Sequence, residues 1–297
     1  MKKGRRRAGI QGLIFLAAAM LFAGAAHASE NVVDISMSYE EYPRIDGSLA
    51  CVPLCEALAV KATGCTQMQA EETMSDFTNT NPCYLQLAEG NRDILLAYEP
   101  AEETKQQLLR YAPLDMLPIG KDALVFIVNK ENPVESVTTD QIRAIFTGDI
   151  RNWKEVGGAD MEIAAFRRPE TSGSQTMLRK LLLGDAQMID EQMETVPSME
   201  GIIDRIRDYD NSANALGYSV YYYASAMYGQ EDLKFLKIDG VEPDNDTIRS
   251  GEYPLVNPFY AVVNEQSSEN ALRLRDWLRT EEGQAFVEEC GYVGAGE

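Results

Sequence analysis

The chain has 297 residues, with 47 acidic against 27 basic ones, a formal net charge of −20 and one histidine, His27. A surface this acidic excludes nucleic acid as a partner. It also repels anions at long range, so any anion site must act through local donors.

Lys2, Lys3, Arg5, Arg6 and Arg7 precede an apolar run from about Leu13 to Ala26, and Ala26-His27-Ala28 stands before Ser29. This predicts a secretory signal peptide over residues 1–28 with an A-x-A cleavage site. As a membrane anchor the run is short against the ~20 residues of a spanning helix. Cleavage removes the histidine and five basic residues, leaving 22 basic against 47 acidic, a net of −25. Histidine triads, Cys–His dyads and His-ligated zinc are thereby excluded. Cys51, Cys55, Cys65, Cys83 and Cys290 show no metal-ligand spacing. Cys51 and Cys55 share one face of a predicted helix and read as small buried residues, and the odd count leaves one thiol free or paired between molecules. No metal or cofactor is implied.

Along the remaining chain, helical and strand-like runs alternate. Helices are predicted over Pro53–Lys61, Tyr84–Ala88, Glu102–Arg110, Thr139–Phe146, Thr176–Leu183, Met199–Asp208 and Asn270–Cys290. Buried strands are predicted over Ile94–Ala97, Ala123–Val128, Glu162–Phe166 and Pro258–Val263, with a further one over Ala215–Val220. The pattern is α/β. Between Leu124–Asn129 and Ala215–Val220 lie about 90 residues, enough for an inserted lobe. The expected domains are a discontinuous lobe 1 (29–127 and 220–297) and a lobe 2 (128–219).

Four junctions before helices share one chemistry. Arg167-Arg168-Pro169-Glu170-Thr171-Ser172-Gly173-Ser174 joins arginine, carboxylate, hydroxyls and glycine at a helix start, where orphan N–H groups attract negative charge. Asp46-Gly47-Ser48-Leu49-Ala50 and Thr78-Asn79-Thr80-Asn81-Pro82 offer hydroxyl caps, with Thr80 read as an N-cap. Tyr98-Glu99-Pro100 follows a strand and leads into the helix with Glu102. Each alone reads as an ordinary cap. Together they suit a shared oxyanion cradle, with Arg168 giving a charge-assisted contact.

Several of these segments resemble the phosphate-binding proteins of phosphate ABC transporters. Gly47 to Leu54 is similar to the family's Gly-Ser-Thr-Thr loop, Asp93 to Pro100 to its strand end, and Gln141 to Gly158, with Ile145-Phe146, Gly148, Ile150 and Trp153, to its Ile-Phe-x-Gly-x-Ile-x-x-Trp signature. Arg168 to Ser174 resembles the Arg-x-Asp/Glu-x-Ser-Gly-Thr motif. The resemblance implies a two-lobed type II periplasmic-binding-protein fold, each lobe a central β-sheet flanked by helices, hinged by two crossover segments. It also implies an exported, monomeric, non-enzymatic protein that presents phosphate to an ABC permease. Ser48, Leu49, Ala50 and Thr80 would form one wall of the site, and Arg168, Glu170, Ser172, Gly173 and Ser174 the other, with Tyr98 and Glu99 at the strand end.

Two departures stand out. Leu49 and Ala50 replace threonines, so only their N–H groups can donate. Tyr98 stands where the family's aspartate accepts the proton of hydrogen phosphate, and a phenol can donate where a carboxylate only accepts. Two other readings stay open: a sensor or surface protein of the same fold binding another polar ligand, and a serine hydrolase using Ser172 or Ser174 with Lys180 as base.

Overall fold

The computed structural model describes residues 33–189, 193–208, 212–227 and 232–296, so the signal segment 1–28 lies outside the described residues. The strands are β1 (Ile45–Gly47), β2 (Ile94–Tyr98), β3 (Asp115–Asn129), β4 (Ser136–Val137), β5 (Ala164–Arg167), β6 (Glu194–Thr195), β7 (Ala215–Val220), β8 (Leu233–Phe235), β9 (Lys237–Ile238), β10 (Val256–Val263) and β11 (Val293–Gly294). Nine of them form a mixed sheet whose main path is β1-β2-β10-β3-β7-β5-β6, with β8 and β11 also on β3. β4 and β9 pair separately.

β3 joins the two halves of this sheet. Asp115–Ala123 pairs antiparallel with β10, and Leu124–Val128 with β7. The partner changes between Ala123, opposite Val256, and Leu124, opposite Val220. The run from Ala123 to Val128 is buried throughout, as a strand covered on both faces requires. The earlier part of β3 escapes sequence reading because Pro118, Gly120, Lys121 and Asp122 break its apolar pattern. A register shift at Phe259/Tyr260 leaves Ile119 unpaired, which is a bulge.

Helices cover both halves, and most lie where periodicity places them. The first runs Val52–Thr63 and ends at Gly64 (φ 68°), and that at Thr139–Thr147 ends at Gly148 (φ 84°). The helix expected over Asn270–Cys290 is two, Glu269–Trp277 and Glu281–Glu289. Thr280 caps the second by accepting from Gly283 N–H at 3.1 Å. At Gly283 a Cβ would stand 2.0 Å from the Trp277 carbonyl oxygen, so the break is packed tightly. Short helices at Gln67–Thr73 and Asn245–Ser250 were not legible in the sequence. Trp153 is fully buried, its Nε1 donating to the Asn214 carbonyl at 3.0 Å. Cys51, Cys55 and Cys83 are buried and free. Among the described residues no helix is long and apolar enough to cross a membrane.

Candidate functional site

The first wall begins at β1. Gly47 allows β1 to press on β2, for a Cβ would stand 1.9 Å from the Leu96 carbonyl oxygen. Asp46, buried behind it, accepts from Gly47 N–H (2.7 Å), Thr78 N–H (2.9 Å) and Thr78 Oγ1 (2.7 Å). One carboxylate thus clamps the 47–50 loop beside the 78–80 loop. Ser48 Oγ accepts from Tyr98 N–H at 3.0 Å and lies 2.8 Å from Thr80 Oγ1. Leu49–Cys51 is a 3-10 turn entering the first long helix; at its start the Leu49 and Ala50 N–H groups have no preceding turn to bond. Thr80 is the first residue of its helix rather than the cap, because Asn79 Oδ1 takes the Thr80 N–H at 2.8 Å.

The second wall follows β5. Arg168 is almost wholly buried; its N–H donates to Tyr218 Oη (2.8 Å) and its Nη1 to the Val196 carbonyl (3.0 Å). Its Nε is buried with no hydrogen-bond partner, and so is Ser174 Oγ. Burial lowers the Arg168 guanidinium from its ordinary value, and no carboxylate pairs with it among the described residues. A buried cation in this state is costly unless an anion completes it. Ser172 caps the Gly173–Leu178 helix, its Oγ accepting from Gln175 N–H at 3.3 Å, which leaves the hydroxyl hydrogen to donate elsewhere.

The walls meet at Gly173, where a Cβ would stand 2.4 Å from Thr80 Oγ1 and 3.4 Å from Tyr98 Cδ2. Between them is a cavity of about 10 Å³ lined by Ser48, Leu49, Ala50, Asn79, Thr80, Tyr98, Arg168, Ser172, Gly173, Ser174, Met199 and Val220. Nine of the eleven residues singled out from sequence therefore line one cavity. Asn79, Met199 and Val220 were missed; Asn79 alone carries a sequence signal, as a cap.

Glu170 and Glu99 stand outside the lining. Glu170 is exposed and accepts from Arg179 Nη2 (2.9 Å) and Gln175 Nε2 (3.0 Å) instead of orienting Arg168. Glu99 binds Lys105 and Lys180. Burial raises its carboxyl, but these ammonium partners outweigh that and hold it below its usual value. Lys180 also donates to Asn257 Oδ1 at 3.1 Å, so it serves neither Ser172 nor Ser174 as a base. Tyr98 lines the cavity, yet its hydroxyl is not offered there. It donates to Asp122 Oδ2 at 2.6 Å. Among the described residues no cluster of His, Cys, Asp or Glu suits a metal.

A family profile described as PBP superfamily domain matches residues 60–289. The chain is similar to the phosphate-binding protein PstS of Bacillus subtilis, 28% identical over 259 residues, covering 84% of this chain and 79% of that one. PstS of Borreliella burgdorferi is 28% identical over 210 residues, covering 69% and 74%. A Clostridium perfringens structure described as a phosphate ABC transporter substrate-binding protein with bound phosphate is similar at a TM-score of 0.66 and 26% identity, covering 84% and 98%. An ABC-type phosphate transport receptor from Vibrio cholerae shares the fold at a TM-score of 0.62 and 22% identity, covering 84% and 98%. The profile takes in both halves of the sheet and both walls of the cavity except the 46–50 loop, and so the chain belongs to the PBP superfamily, with the two-lobed α/β type II fold.

Proposed function

We propose that this protein is an exported solute-binding protein that captures an inorganic oxyanion, phosphate foremost, and presents it to an ABC permease. The observation that carries the reading is the pair of buried, unpartnered donors, Arg168 Nε and Ser174 Oγ, on the lining of one cavity. With the Leu49 and Ala50 N–H groups and the hydroxyls of Ser48, Thr80 and Ser172, they offer a tetrahedral anion many donors and one full positive charge. Micromolar binding needs about 8 kcal/mol net, within reach of such a set in a dry cleft. The named functions of the PstS relatives and of the Clostridium perfringens protein support the same reading.

The protein binds and releases; it catalyses nothing. Lobe 1 takes in 29–123 and the chain from about 240 to 297 and lobe 2 takes in 124–239, a narrowing of the expected 29–127, 128–219 and 220–297 supported by the pairing of Leu124–Val128 with β7, of Ile127–Asn129 with β8 and of β4 with β9. A cavity of about 10 Å³ is near the smallest that holds one water, so a solute enters when the lobes part and is held when they close. The working unit is a monomer on the outer face of the cell membrane or in the periplasm, reached by cleavage after Ala28.

Calorimetry of the protein against phosphate, sulfate and a panel of polar solutes tests the reading. Phosphate or another oxyanion is expected to bind. Binding of an uncharged solute with no response to any oxyanion would transfer the site to the sensor reading.

A further inference from the structure

The buried acid that the anion site does not use directly is Asp122. It lies on β3 one residue before the last residue paired with β10, opposite Asn257. Its Oδ1 accepts from Ala123 N–H (2.7 Å) and from Tyr222 N–H (3.1 Å), just beyond the end of β7, and its Oδ2 accepts from Tyr98 Oη (2.6 Å). One carboxylate therefore ties together the strand shared by the two sheet halves, the segment returning from β7, and a residue of the cavity wall.

We propose that Asp122 is a positioning residue of the oxyanion site, holding the Tyr98 phenol away from the ligand and linking anion capture to uptake of a proton at its own carboxylate. The proposal rests on the oxyanion reading above. When ionised, Asp122 places a negative charge one hydrogen bond behind the wall, which opposes an anion in the cavity. When a solvent proton adds to Oδ2, that oxygen becomes the donor to Tyr98 Oη, the charge is lost, and the phenol hydrogen is released to another acceptor.

The surroundings leave Asp122 to titrate alone. Burial raises its carboxyl to about 6, outweighing the hydrogen bonds from Tyr98 and the backbone. The titratable groups facing it are Cys51 at the start of the first long helix, Tyr98 on β2, and Tyr221 and Tyr222 after β7, with Tyr292 behind them, stacked on Tyr222 at 3.6 Å. Burial raises each of these above its ordinary value, so all stay neutral near pH 6. On its own strand, Lys121 Nζ is engaged by the Arg249 carbonyl at 2.9 Å.

Asp122→Asn imitates the protonated form, since Nδ2 can donate to Tyr98 Oη while Oδ1 keeps both backbone donors. Phosphate affinity of the full chain and of Asp122→Asn is measured from about pH 5 to pH 8, and the ratio cancels the ionisation of phosphate itself. The wild type is expected to bind about three- to tenfold more weakly than the variant at pH 8 and to converge with it near pH 5. A ratio independent of pH overturns the proposal. NMR of the Tyr98 ring in the ligand-free protein judges the Asp122–Tyr98 link even if phosphate does not bind, in which case the oxyanion reading is what fails. The ring signals are expected to move with a midpoint near 6 in the wild type and to stay fixed in Asp122→Asn. Should that variant not fold, Tyr98→Phe is expected to raise the midpoint, read at the Asp122 carboxyl, because the phenol donor is gone. Static Tyr98 signals in the wild type, or an unmoved midpoint in Tyr98→Phe, overturn the proposal.

Discussion

The Ser174 hydroxyl is buried with no partner, so its removal separates ligand binding from folding. Ser174→Ala deletes a polar atom the empty fold does not use, and the ligand-free melting temperature is expected to hold or rise. Phosphate binding is expected to weaken by about 1 kcal/mol, roughly fivefold, the worth of one hydrogen bond. Calorimetry and thermal melts read the two effects apart. Arg168 behaves differently, because its Nη1 also supports the Val196 carbonyl. Arg168→Ala is expected to cost about 2–4 kcal/mol of anion binding and also to remove the support of the Val196 carbonyl. If Arg168→Ala still shows the wild-type ligand-induced rise in melting temperature, the arginine is not in the site.

At the scale of elements, the contact between the start of the Gly173–Leu178 helix and the 78–80 loop controls whether the walls can meet. Gly173 has no positive φ, so alanine is acceptable to the backbone and improves the helix. Its Cβ, however, would fall 2.4 Å from Thr80 Oγ1, and that hydroxyl is held against Ser48. Gly173→Ala is expected to overpack this contact, lowering the melting temperature of the ligand-free protein and weakening phosphate binding by about 1–2 kcal/mol. An unchanged affinity would mean that the two walls need not touch in the bound state.

For the whole molecule, Asp122 gives a pH signature of stability. Its folded pKa of about 6 lies above the unfolded value near 3.8, so its contribution is fully present below the unfolded value and is lost as pH rises through 6. Stability is therefore expected to increase by roughly 2 kcal/mol as pH falls from about 8 to 4 on account of this group alone. The net charge of −20 adds a change of the same sign, since protonation relieves self-repulsion. Denaturant melts of the wild type against Asp122→Asn isolate the carboxyl. Equal slopes with pH for both would show that Asp122 does not titrate in this range.

The α/β class, the buried strands β2, β7 and β10, and the helix-start motifs were legible because they rest on local matters: periodicity, capping residues and glycines next to hydroxyls. The convergence of Ser48, Thr80, Tyr98, Arg168 and Ser172–Ser174 on one cavity was suggested by the shared chemistry of their helix-start junctions and given its arrangement by their motif resemblance, since they lie far apart in the chain. Sequence could not show which partner each charged side chain would take. Glu170 turns to Arg179, Glu99 to Lys105 and Lys180, and Tyr98 to Asp122, because burial and packing across the sheet decide these pairings. The full length of β3 and the break at Thr280 were hidden for the same reason. Pro118 and Asp122 look foreign to a strand until β10 and β7 pair with it, and a helical period continues through Leu278-Arg279-Thr280 until packing against the Trp277 backbone ends it.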